Sequence, residues 1–195
     1  MTWKNPVDRW GAISQLLHWS IVVLLTAIAV LGLYMVDLPN SPDKIKLYSL
    51  HKSLGLTLLG LLLLRIGWRV YAGAPHPVAG TPAWQERIAT ATHAAMYVLM
   101  FALPVSGWVL NSAAGYPLQW FGLFNLPRIV ANDAELHELA ESLHEAGFWL
   151  LLALVLAHAG AAFYHHLFQH DATLTRMLPR RRAPPSDAPE NRHVV

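Results

Sequence analysis

The chain contains no cysteine. Disulfides, iron–sulfur clusters, thiolate zinc sites and the C-x-x-C-H attachment of covalent haem are therefore excluded together. Charge is scarce as well: 13% of the residues are Asp, Glu, Lys or Arg, against about 25% in a soluble domain. The net charge of +2 is too small to argue for a nucleic-acid partner. What takes the place of charge is apolar: 54% of the 195 residues are hydrophobic and the mean hydropathy is positive. That balance points to a membrane protein. Any metal must be held by nitrogen or oxygen, and the eleven histidines are the obvious supply.

Four apolar runs, at about residues 16–38, 50–71, 88–110 and 143–168, each approach the roughly 20 residues a helix needs to cross a hydrocarbon core about 30 Å thick. PNSPDK, AGAPHPVAGTPAW and residues 111–142 separate them and hold most of the Pro, Gly and Asp turn signals, so they read as loops. The first run is span-length, lacks a small-residue cleavage motif and precedes three more, so it is expected to be a retained helix, not a signal peptide. The expected fold is all-α: a bundle of four transmembrane helices over residues 1–178. A basic, proline-rich tail at 179–195 reads as disordered. With the N-terminus inside, Lys4, Arg9, Arg65, Arg69, Arg87, Arg176, Arg180, Arg181, Arg182 and Arg192 face the cytoplasm. Only Lys44, Lys46, Lys52 and Arg128 face out, and this asymmetry predicts that both termini are cytoplasmic.

The histidines sort by depth. His18 opens the first span on the inner side and His51 the second on the outer side, while His93 lies a turn or two into the third. His144 opens the fourth span at the outer side. His158 lies fourteen residues deeper, roughly 21 Å along the helix and pointing the same way. Each has a depth-matched partner on another span: His51 for His144, and His18 for His158. Antiparallel helices of a four-helix bundle would stack two such bis-histidine sites across the membrane. His158 falls inside the apolar zone, where an ionisable side chain is a functional candidate by default. Glycines repeat the interval, since Gly32 follows His18 and Gly107 follows His93 by fourteen residues. Together with Gly55 and Gly147, they either clear space for something flat and bulky near the outer site or allow close helix packing. Imidazole suits zinc, copper, iron or nickel. Within the spans, Glu145 is the sole carboxylate at matching depth, which disfavours a carboxylate-assisted zinc or di-iron centre. Haem with two axial imidazoles is the best fit, buried in a hydrophobic bundle and suited to electron transfer because both axial positions are filled.

The segments ISQLLHW (13–19), YSLHKSLG (48–55), HAAMYVLMFALPVSGW (93–108), SLHEAGFWL (142–150) and HAGAAFYHHLFQHDATLTRMLPRR (158–181) resemble the bacterial cytochrome b561 family of dihaem inner-membrane proteins. The likeness runs from about residue 5 to 182 and is weakest between 111 and 140. Carried over residue by residue, the family's haem ligands fall on His18, His51, His144 and His158. The resemblance implies two haem b groups, ubiquinone or another quinone as electron partner, a multi-pass place in the inner membrane, and superoxide oxidation at the outer face in some members. Other cytochromes of the wider superfamily serve a separate dehydrogenase or redox partner, and that alternative stays open, as does a less favoured reading as a transporter.

Ligand spacing would set the two irons roughly 21 Å apart, leaving an edge gap on the order of 10 Å. Lys44, Lys46 and Lys52 lie beside the expected outer site, where they would steer an anionic donor or serve as ordinary loop lysines; Lys52 is the candidate for steering. Asp133, Glu135, Glu138 and Glu141 mix that field. Arg65, fourteen residues from His51, would pair with a haem propionate or snorkel to headgroups. Arg69 reads as a surface anchor. His93, His165 and His166 are candidates for contact with a quinone, with an interfacial role as the alternative for the cluster of His165, His166 and His170. His76, His137 and His193 are expected to be solvated.

Overall fold

A computed structural model describes residues 3–78 and 80–179. The tail beyond 179, with Arg180, Arg181, Arg182, Arg192 and His193, lies outside the described residues. Four helices are long and apolar enough to cross a membrane: α1 (Ala12–Val36), α2 (Pro42–Ala72), α3 (Ala83–Ala113) and α4 (Ala134–Tyr164).

The helices outrun the apolar stretches. α2 starts where the Ser41 hydroxyl accepts the Lys44 N–H at 3.2 Å, with Pro42 in the first position, a combination that satisfies one orphan donor and presets the backbone. α4 starts in the same way at Asp133, whose carboxylate accepts the Leu136 N–H at 3.0 Å. His51 and His144 therefore do not open their helices, as apolar patterning suggested, but lie between two and three turns inside them. Hydropathy locates the membrane, whereas caps locate the helix ends. α4 continues through one π-helical turn (His165–Gln169) and stops at His170, which is in the left-handed conformation with φ 52°.

The 111–142 segment is also more ordered than a loop. α3 runs through Ala113, and β1 (Leu118–Trp120) pairs antiparallel with β2 (Phe124–Leu126), placing Trp120 opposite Phe124. α4 has already begun at Ala134.

Packing is uneven. α1 lies against α2, α2 against α3 and α3 against α4, while α4 stands off from both α1 and α2. The apolar core sits between the first two helices, where Ile21, Ile28 and Leu58 are buried against Leu61 and Met100. Large apolar residues elsewhere on the helices, such as Val23, Leu64 and Val98, are exposed, as a lipid-facing surface requires. The two ends of the described chain meet at one end of the bundle. There, Arg9 donates to the Leu178 carbonyl at 3.1 Å and the Trp19 indole to the Met177 carbonyl at 3.0 Å.

Candidate functional site

The separation between α4 and its two distant neighbours is bridged by histidines. His18 on α1 faces His158 on α4, and His51 on α2 faces His144, each pair with ring centres 6.4 Å apart. The interplanar angles are 83° and 67°. These are the pairs expected from depth alone, one toward each end of the bundle.

The spacing is chemically specific. Two imidazoles on opposite sides of one metal ion, each with nitrogen about 2.0 Å from the metal and about 1.1 Å from its own ring centre, put the centres about 6.2 Å apart. Both pairs fit that value. His93 lies 5.0 Å from His158, too close to share an ion with it, and packs edge-on against the ring. Among the described residues no group of three or more His, Cys, Asp or Glu is placed to hold a metal, so the sites suit a macrocycle that brings its own in-plane donors.

Ser106 sets the state of His144. Its Oγ donates to the Leu103 carbonyl at 2.9 Å, so at 3.0 Å from the ring it accepts from His144 Nδ1–H. That tautomer, assigned from the network, leaves Nε2 with its lone pair, the form a metal takes, and the second hydrogen bond fixes the ring. His51 Nδ1 is buried with no partner among the described residues.

The glycines resolve into two roles. A Cβ on Gly32 would stand 3.1 Å from His51 Cε1, and one on Gly107 3.4 Å from His144 Cε1. Gly32 makes room for the His51 imidazole, not directly for a macrocycle, whereas a Cβ at Gly107 would rest in ordinary contact with His144. A Cβ on Gly147 would meet Leu103 at 3.1 Å, so that glycine serves the packing of α4 on α3. Nothing lies within 4 Å of a Cβ placed on Gly55.

Arg65 turns inward. Its Nε donates to the Tyr97 hydroxyl at 3.0 Å and its Nη1 to the Ser14 carbonyl at 3.1 Å, which ties three helices together near His18. Snorkelling to headgroups is not the conformation adopted. Arg69 stacks over Trp10 at 5.4 Å, as suits a surface anchor. Lys52 Nζ donates to Asn111 Oδ1 at 2.9 Å, and Asn111 in turn donates to the Tyr116 carbonyl. The other two lysines of the expected basic rim are also engaged: Lys44 with the Val36 and Leu38 carbonyls, and Lys46 with Asp43 at 2.9 Å. His165 pairs with Asp171. Burial acts to raise the Asp171 carboxyl, but hydrogen bonds from His165 and Thr173 outweigh it and hold the group below its usual value.

Sequence reading missed Ser14, Tyr97, Ser106 and Asn111. Two carried a signal: Ser14 precedes His18, and Tyr97 follows His93, by one helical turn on the same face.

A family model described as prokaryotic cytochrome b561 matches residues 9–180. The chain belongs to the prokaryotic cytochrome b561 family. "Cytochrome b561 homolog 2" of Escherichia coli (strain K12) is 34% identical over 179 residues, covering 91% of this chain and 95% of the relative. "Cytochrome b561 homolog 1" of the same organism is 30% identical over 178 residues, covering 90% and 100%. "Probable superoxide oxidase CybB" of Yersinia pestis is 28% identical over 171 residues, covering 85% and 93%. As a b561-type cytochrome with four spanning helices, the protein is a haem-binding, multi-pass inner-membrane oxidoreductase of electron transport. The histidine spacing and the family agree on b-type haem.

Proposed function

We propose that the protein carries electrons across the membrane from superoxide, or another small donor at the outer face, to a membrane quinone such as ubiquinone. Two haem b groups would be held by His51 with His144 near the outer face and by His18 with His158 near the inner face. The observation that carries this reading is the pair of 6.4 Å histidine separations, fourteen residues apart on α4. Haem bound there supplies a one-electron iron couple. With both termini cytoplasmic, as the Lys and Arg asymmetry favours, His51 and His144 are at the outer side.

The remaining roles belong to the protein's own groups. Ser106 orients His144, and Gly32 lets α1 close behind the His51 ring. Arg65, fixed by Tyr97 and Ser14 at the inner site, supplies a cation suited to a haem propionate. Lys52 contributes positive charge near the outer site for an anionic donor, even while bonded to Asn111. The name of the Yersinia pestis relative supports superoxide as the donor.

A reduced-minus-oxidised spectrum with haem-to-protein stoichiometry tests the cofactor assignment. Two b haems per chain are expected, falling to one in His158→Ala; absence of haem, or no fall in that variant, overturns it. Superoxide consumption by the purified protein with ubiquinone present, slowed in Lys52→Glu, tests the donor. A stably co-purifying dehydrogenase, with no superoxide consumption, would make the chain a cytochrome subunit instead.

A further inference from the structure

The β1–β2 hairpin is placed oddly for a loop between spans. It bends back along α2, so that Phe121 N–H donates to Ser53 Oγ at 3.0 Å and the Trp120 indole donates to Thr57 Oγ1 at 3.1 Å. Ser53 and Thr57 lie two and six residues beyond His51 toward the middle of α2, roughly 3 and 9 Å deeper along the axis. They also lie about 200° to 240° around the helix from His51, on the flank turned away from the histidine pair. The hairpin therefore sits outside the bundle, alongside the first turns of the stretch of α2 between Lys52 and Arg65 that holds no other charged residue.

Its chemistry matches that depth. From Ile88 through Pro127 the chain has no Asp, Glu, Lys or Arg, so the charge-free stretch that begins in the second turn of α3 continues through the whole hairpin. Trp120 packs against both Phe121 and Phe124, with ring centres 5.2 and 5.4 Å away. The tip then presents its apolar side chains outward: Leu123 is 73% exposed, Phe124 55% and Phe121 46%. The turn is closed by Leu123 N–H donating to the Trp120 carbonyl at 2.9 Å, with Phe121 and Gly122 at φ 47° and 72°. Glycine suits that backbone; a phenylalanine there is strained. An aromatic ring held outward at a strained position, where a small polar residue would sit more easily, needs an apolar medium on its far side.

We infer that this hairpin is an interfacial membrane anchor, its Phe121–Phe124 tip seated at the boundary of headgroups and acyl chains on the leaflet around His51 and His144. The boundary, not the hydrocarbon centre, is the fitting depth. A two-stranded ribbon has an outer edge whose backbone groups need water or headgroup partners, and aromatic residues prefer that zone. Docked there, the hairpin braces the α2–α3 seam from the lipid side.

The cysteine-free chain makes the test direct. Leu123→Cys, Glu135→Cys and Val98→Cys, each in the full chain and reconstituted in phosphatidylethanolamine–phosphatidylglycerol vesicles, are spin-labelled. Their collision with oxygen and with a water-soluble nickel chelate is then compared. Position 98 on α3 references lipid and position 135, in the first turn of α4, references water. The oxygen-to-nickel ratio at 123 is expected to exceed that at 135 several-fold and approach that at 98. A ratio equal to that at 135 overturns the inference. So does a label at 123 shielded from both agents and broadened by a neighbouring label, which would mean that a second copy covers the tip. Unchanged circular dichroism of the labelled Leu123→Cys protein confirms that the fold is retained.

Discussion

Gly32→Ala gives a sharp test of how the His51 ring is held. The added Cβ would stand 3.1 Å from His51 Cε1, whereas carbon atoms rest about 3.5–4.0 Å apart. The ring must therefore yield by at least ~0.4 Å. A metal–ligand bond tolerates about 0.2 Å, so the displacement exceeds what His51 could absorb in its proposed role as a haem ligand. Perturbing the groups that orient a ligand commonly lowers metal affinity about 10- to 100-fold, and the His51–His144 site should weaken by that order. Gly107→Ala is the matched control, because its Cβ would lie 3.4 Å from His144 Cε1, an ordinary contact. Replacing a helical glycine by alanine by itself favours the helix by about 1 kcal/mol, so a loss of haem in Gly32→Ala cannot be assigned to a weakened helix. The assay is haem per chain by pyridine haemochrome after gel filtration, together with the reduced-minus-oxidised spectrum. With two haems per chain as proposed, Gly32→Ala should approach the loss of one of them while Gly107→Ala stays near wild type. Full occupancy in Gly32→Ala, or equal loss in both, would refute the reasoning.

Ser106→Ala removes the acceptor of His144 Nδ1–H and should weaken haem at the same site by about 10- to 100-fold, read as haem retained on dilution; retention equal to wild type would show that the serine does not orient the ring. Tyr97→Phe strips a hydrogen bond from the Arg65 guanidinium and should cost about 1–3 kcal/mol of stability, seen as a lower thermal midpoint in detergent, with a shift in the potential of the haem proposed at His18 and His158. The Asp171 carboxyl, held below its usual 3.8, contributes stability that is present above that value and is lost as pH falls through its lower folded value. Protection against amide exchange across 165–171, taken relative to the intrinsic rate at each pH, should therefore hold down to pH about 4 and fall below it, and Asp171→Asn should show the lower protection already at neutral pH.

Much of the site was legible because its signals are one-dimensional. An interval of fourteen residues is close to four helical turns, so the alignment of His144 with His158 follows from helix geometry without any tertiary information. Depth matching then selects His51 and His18, because antiparallel spans of similar length must bring equal depths together. The approach of His93 to the same ring, His158, is different. His18 and His93 both lie at the same end of the bundle, and only the packing order, with α4 against α3 and apart from α1, gives 6.4 Å for one and 5.0 Å for the other. The two glycines show the same division. Their register with the histidines is in the sequence, but that they back imidazoles at 3.1 and 3.4 Å depends on how α1 meets α2 and how α3 meets α4.

The sequence by itself determined that the chain has four spans, that it has no sulfur ligand beyond methionine, and that its histidines stand at two depths, because hydropathy, composition and helical rise are properties of the chain alone. Tertiary structure decided the partners of side chains that have several within reach. Arg65 could extend to headgroups or turn inward, and Tyr97 with the Ser14 carbonyl turns it inward. Lys52 could stand free, and Asn111 binds it. The uncharged segment after α3 could have been a solvated loop, and Ser53 and Thr57 draw it down the flank of α2. In each case the physical reason is the same: a polar group at the edge of an apolar medium takes whichever partner the fold brings within hydrogen-bond distance, and that partner lies on another helix, dozens of residues away.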